Sequence, residues 1–245
     1  MKRSERHHLK QDELVDWLER TTDWVFDNQK NIVNVALVVA GAALLLGGLY
    51  VYRARQAESA KVVLGNALDE YHGTVGAATS PEVGLPSFAT ADEKYRTALA
   101  SFEAVAAEYG SYDEGRQARY YAGICYANLG DYEAARDALG EVRAGKRDLL
   151  YYLSSRALAS VRAELGDDTG AAEIYGALID DADNPLPKDQ LLFELARSEE
   201  RAGNDDQALQ VYERMLAEHP DSQLRGDAIT RKDALAYASG KGAGG

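Results

Sequence analysis

The sequence predicts an all-α protein: one apolar helix of membrane-spanning length near the N-terminus, then a superhelix of antiparallel helical pairs. Three observations carry that expectation. Residues 31–52, NIVNVALVVAGAALLLGGLYVY, contain no charged side chain. Four segments of the remainder align at a spacing of 36 or 37 residues. From Ala91 onward the pattern is helical throughout, broken only by short Gly, Asp and Pro punctuation, and no strand is expected.

Residues 1–10, MKRSERHHLK, read as a mobile basic tail. His7 and His8 are adjacent and cannot share a helix face as an i,i+4 ligand pair does. From residue 11 to 30, Leu14, Trp17, Leu18 and Val25 recur at helical spacing with acidic residues elsewhere around the helix. Such an amphipathic helix can lie on a bilayer surface or dock against a neighbouring membrane protein, and its acidic polar face leaves both open.

Residues 32–52 form the predicted span, closed by Lys30 and Arg53. Twenty-one residues make about 31 Å of helix, matching the hydrocarbon core of a bilayer. Tyr50 and Tyr52 stand where an interfacial aromatic belt would lie. The mixed charge of the leader and the length of the run argue against a cleaved signal peptide, as does Glu58 at the −3 position of the nearest small-residue stretch. No cysteine follows to carry a lipid anchor. Ala36, Ala40, Ala43 and Gly47 make a stripe of small residues, which lets a second membrane helix approach closely.

Charge bounds the rest. Residues 1–31 carry 6 Lys/Arg and 7 Asp/Glu; residues 53–245 carry 21 and 33, giving −1 and −12 and the total of −13. A domain at −12 lacks the clustered cations that nucleic acid requires and is repelled by anionic lipid headgroups. Close to the span, Arg20 and Lys30 on one side face Arg53, Arg55 and Lys61 on the other. That count opposes an N-terminus-inside orientation, but the whole short tail adds Lys2, Arg3, Arg6 and Lys10. The tail is expected inside and the domain outside, partly on the resemblance given below.

Helix continues to about residue 71, followed by a loop over 73–90 rich in Gly and Pro. Then comes the repeat: YRTALASFEAV, DYEAARDALGEV, DTGAAEIYGAL and NDDQALQVYERML. Ala98, Ala135, Ala171 and Ala208 correspond. Four residues later come Phe102, Leu139, Tyr175 and Tyr212, then Val105, Val142, Leu178 and Met215. Gly130-Asp131, Gly166-Asp167 and Gly203-Asn204 precede three of the segments, ending one helix and capping the next. Small residues at Gly123, Ala159 and Ala196 in the preceding helices allow close antiparallel packing. A helical pair cannot bury its apolar face alone, so pairs stack. Residues 221–238 then read as a solvating cap helix, and 240–245 as a flexible tail.

The pattern resembles the tetratricopeptide repeat, with ARYYAGICYANLGDYEAARDAL the closest stretch and Pro220 where that family ends its second helix. The first repeat departs most, because loop 73–90 separates its helices. The expected organisation is a tail over 1–31, a span over 32–52 and about four helical pairs plus cap over 53–239.

No active site is legible. Four histidines form no HExxH, no G-x-S-x-G occurs, and Cys125, the only cysteine, lies in an apolar helical pattern. SGKGAGG lacks the strand, Ser/Thr and helix of a phosphate loop. Asp180, Asp181 and Asp183 lack the glycine of a calcium loop, and Pro185 takes a ligand place. No enzymatic activity, metal, cofactor or small-molecule substrate is expected. What the resemblance implies is a groove lined by each first helix. Carried over by position, its residues are Gln117, Tyr120, Ile124 and Asn128, then Arg156, Ser160 and Glu164, then Phe193, Arg197, Glu200 and Arg201. Tyr120 and Phe193 are the expected apolar anchors; Arg156 and Arg197 could meet carbonyls or a carboxylate. The Lys/Asn clamp for a terminal carboxylate is missing, because Tyr121 and Glu194 stand where its asparagine would be.

Tail, span and repeats together resemble the ancillary SecYEG translocon subunit of the bacterial inner membrane, whose repeat domain is similar to that of the cell-division coordinator. SFEAVAAEYGSYDEGRQARYYAGICYANLGDYEAARDAL and GNDDQALQVYERMLAEHPDS carry most of that likeness. It implies a single-pass protein with a cytoplasmic N-terminus and a periplasmic domain. Such a protein serves as an interaction scaffold for translocon or chaperone components or for client chains. A structural subunit of another inner-membrane complex is the alternative.

Overall fold

The computed structural model describes residues 24, 28–76 and 84–238. The expected amphipathic helix and the C-terminal tail fall, for the most part, outside the described residues. Two compact units result, Met1–Gln56 and Ala57–Gly245.

The first unit contains the apolar part of a single long helix, α1 (Gln29–His72). This helix is long and apolar enough to cross a membrane: its most apolar window has a mean hydropathy of 2.4, and none of that window is buried within the protein. Leu44, Leu45 and Leu46 are 78%, 77% and 67% exposed. Water would not tolerate so many exposed leucines on one continuous helix, whereas lipid would.

The second unit begins with the end of α1, whose Ala60, Leu64 and Ala67 are buried. Two short strands follow, β1 (Thr74–Val75) and β2 (Ser87–Phe88), paired in parallel with Thr74 opposite Ser87. These strands correct the expectation of none. They are a local clasp at the ends of the loop, two residues each, too short to leave a periodic trace. Then come α2 (Ala91–Glu108), α3 (Asp113–Asn128), α4 (Tyr132–Arg143), α5 (Leu149–Glu164), α6 (Asp168–Asp180), α7 (Lys188–Arg201), α8 (Asp205–Glu218) and α9 (Arg225–Ala238). Each helix from α2 onward packs on the next, and α3 also meets α5, the first helix of the following pair. That second kind of contact makes a stack of pairs.

The repeat positions are the core. Ala98, Ala135, Ala171 and Ala208 are all fully buried, as are Phe102, Leu139 and Tyr212. Gly130, Gly166 and Gly203 adopt φ of 80°, 82° and 79°, the left-handed conformation that ends a helix at low cost only in glycine. Asp131 and Asp167 then cap α4 and α6, accepting from the amides of Ala134 and Gly170. Asn204 makes no such cap; its amide reaches Glu199 at 2.7 Å. At Gly123 an added Cβ would lie 2.7 Å from Leu139 Cγ, which is why this helix pair needs a glycine there.

Cys125 is fully buried beside Ala98 and Phe102 in the first-repeat core. Burial pushes its thiol up to about 12, with Lys94 opposing weakly. Thiolate supply alone then makes the folded chain react with a disulfide reagent on the order of a thousandfold slower than an exposed thiol. Ellman titration should count no thiol in the native protein and one after denaturation; fast native labelling would contradict the packing.

Candidate functional site: a cleft on the inner face of the repeats

The inner face is built by first helices. α3 presents Tyr120, Ile124 and Asn128; α5 presents Arg156, Ser160 and Val161; α7 presents Gln190 and Glu194. Their i,i+4 spacing is what puts them on one side of each helix. The turn 221–224 closes one end. Together they enclose a cleft of about 820 Å³, within the range of ligand pockets. Tyr120 also borders a second hollow of about 310 Å³ with Gln117, Tyr121, Leu149, Leu150 and Leu153.

The cleft is polar but orderly. Arg156 Nη1 donates to Gln190 Oε1 at 3.3 Å. Ser222 Oγ donates to Asp189 Oδ2 at 2.6 Å, which fixes the closing turn to α7 and holds the Asp189 carboxyl below its ordinary range. Burial pushes the Tyr120 phenol up, opposed by the Arg156 charge. Tyr175 forms part of the wall and is nearly fully buried.

Two models of the tetratricopeptide-repeat family match the sequence, over residues 90–148 and 189–225. The chain carries tetratricopeptide repeats. Those segments cover α2–α4 and α7–α8, so two of the three helices that line the cleft, α3 and α7, belong to matched repeats. No curated protein matches the chain. A solved structure similar to it is that of the Rap conjugation gene regulator of plasmid pLS20 in complex with the Phr* peptide. It is 16% identical, with a TM-score of 0.44 over 61% of this chain and 45% of that one. This chain thus spans less than half the length of that regulator.

The tetratricopeptide positions carried over from the sequence divide into groups. Tyr120, Ile124, Asn128, Arg156 and Ser160 share the large cleft, and Gln117 lines the hollow beside it. Phe193, Arg197 and Glu200 border a separate hollow against α9. Phe193 is only 7% exposed and packs edge-on against Tyr212, 5.9 Å between centroids. Its ring is therefore mostly core. Glu200 is engaged by Arg231 at 3.0 Å and by the Tyr212 hydroxyl at 3.1 Å. Glu164 borders none of these hollows, and Arg201 is spent on Asp168 at 2.7 Å. The sequence reading missed Asp189, Gln190 and the 221–224 turn. A cap segment beyond the last repeat carries no periodic signal for what it covers. Among the described residues, no cluster of His, Cys, Asp or Glu is placed to hold a metal ion.

At the hollow beside Tyr120, Asp148 caps α5 through the amides of Leu150 and Tyr151 and accepts from Arg116 Nη2 at 2.5 Å. The Arg116 guanidinium, aided by those amides and against desolvation, holds this carboxyl below the ordinary range. Asp148→Ala should cost about 1–2 kcal/mol, lowering Tm by about 2–8 °C. Because the native value is depressed, the stabilisation is complete above about pH 5 and fades as pH falls through it. Melting curves of wild type and variant should therefore converge in acid; a gap that persists there would contradict the assignment.

Proposed function

We propose that this chain is a membrane-tethered, non-catalytic scaffold for protein–protein contact, holding an extended segment of a partner or client in its tetratricopeptide cleft. The cleft between α3, α5 and α7 carries this reading: it is peptide-sized, lined by aromatic, aliphatic, amide and charged groups, and open to solvent. The apolar stretch of α1 supports the tether, which raises the local concentration of the cleft near partners in the same membrane. The partners we propose on the sequence resemblance are Sec translocon subunits, periplasmic chaperones and their secreted clients, with the N-terminal tail in the cytoplasm and the repeats in the periplasm.

A photoreactive residue at Tyr120 tests this in cells. Varied secreted chains captured there, with a translocon subunit captured from Ala40, are the expected result. Tyr120→Ala should cut client capture about tenfold; because its ring also packs against the core, capture is compared well below the variant's melting temperature. Capture of one stoichiometric partner at both sites would replace the reading with the alternative, a structural subunit of another membrane complex.

The alternative has its own test on the span. Ala36, Ala40, Ala43 and Gly47 are all exposed on α1, and an added Cβ at Gly47 would touch nothing within 4 Å. Gly47→Leu therefore leaves this chain undisturbed and probes only a partner helix. Loss of co-purifying membrane subunits, with the cleft's client capture intact, would mark the stripe as the docking surface.

A further inference from the structure

Building on the proposed client-holding cleft, we infer that the segment it takes is basic, with a lysine or arginine alongside an apolar side chain. Among the described residues, three carboxylates line the cleft, Asp189, Glu194 and Asp221, against one lining cation, Arg156, with Arg197, Arg201 and His219 acting on the wall from outside it. Arg156 is already engaged by Gln190 and lies beside the Tyr120 and Tyr175 phenols. Glu194 is shared with Arg197 at 3.2 Å, outside the cleft lining, and Asp189 with the uncharged Ser222. Asp221 is exposed at the closing turn, and its carboxylate makes no ion pair among the described residues. An incoming cation therefore meets an incompletely neutralised wall, whereas an incoming carboxylate meets like charge. The surrounding domain, with 33 acidic against 21 basic residues, has the same sign, so it steers cations inward as well. The apolar part of the segment has its own place. Ile124 and Tyr120 floor the cleft, and Tyr120 leads to the hollow lined by Leu150 and Leu153.

The test uses the full chain in detergent micelles and two fluorescently labelled peptides with one alternating leucine–serine frame. One carries two lysines, the other two glutamates. The lysine peptide should bind about tenfold tighter at low salt, with the advantage shrinking as salt screens it. Asp221→Asn combined with Glu194→Gln should remove most of the preference, and Asp221→Lys should reduce it further at an exposed position that does not affect folding. Equal binding of both peptides, unchanged in the variants, would overturn the charge selectivity while leaving the cleft as a peptide site. Tighter binding of the glutamate peptide would overturn it as well. Binding of neither peptide would remove the cleft reading itself, and the inference with it.

Discussion

Gly115→Ala is expected to lower the stability of the repeat domain by about 3 kcal/mol, a fall in Tm of about 6–12 °C. The direction is informative because alanine favours a helix over glycine by about 1 kcal/mol, so propensity alone predicts the opposite. Gly115 lies in the first turn of α3, where it passes over the α2–α3 turn. An added Cβ would sit 2.1 Å from Tyr109 O, 2.4 Å from Tyr109 C and 2.8 Å from Gly110 Cα. Those are backbone atoms, which cannot rotate aside as a side-chain tip can. Relief requires the turn to move, and Tyr109 within it is 6% exposed and packed into the first-repeat core. Thermal denaturation followed by circular dichroism decides it; an unchanged or raised Tm would mean that the α2–α3 turn does not pass so close to Gly115.

Phe102→Ala should be the most damaging truncation, at about 3–5 kcal/mol and a Tm fall of about 6–20 °C. The ring is fully buried, stacks on Tyr121 at 5.2 Å between centroids and meets Tyr71 edge-on at 6.2 Å. It joins the end of α1 to α2 and α3, and desolvation within this group pushes the Tyr71 phenol up to about 12. Removing the ring leaves a cavity bounded by two tyrosines that cannot both collapse into it. Leu149→Ala is the matched control: its side chain is 57% exposed, and its expected cost is within about 0.5 kcal/mol. Similar effects from the two substitutions would refute the assignment of Phe102 to the core. Since stacked repeats depend on their neighbours, hydrogen exchange in the Phe102 variant should accelerate first in α2 and α3.

What could be read from the sequence was whatever recurred. The alanines at 98, 135, 171 and 208 stood out because each repeat needs one small buried residue at the same point of the helix crossing. The glycines at 130, 166 and 203 stood out because only glycine takes their backbone angle cheaply. Gly115 was silent, since its close contact belongs to one turn and has no counterpart at the period. Tyr120, Ile124 and Arg156 were found by position, because a groove-facing place in a repeat is a property of the repeat. Phe193 occupies such a place too, but Tyr212 packs beside it and makes its ring core, so Phe193→Ala would test stability rather than binding. Asp221 and its neighbours were beyond reach for the opposite reason: they belong to a segment that occurs once.

The two-residue clasp has a practical corollary. Thr74 and Gly76 donate their amides to Pro86 and Phe88, so both ends of the 73–90 excursion are tied side by side before the second helix of the first pair begins. With those two ends held together, a longer connection between them costs only about 0.6 kcal/mol per doubling of its length. That makes the clasp a port of entry: an epitope, a fluorophore site or a foreign binding loop could be grafted between its two strands at a small expected cost to the stack.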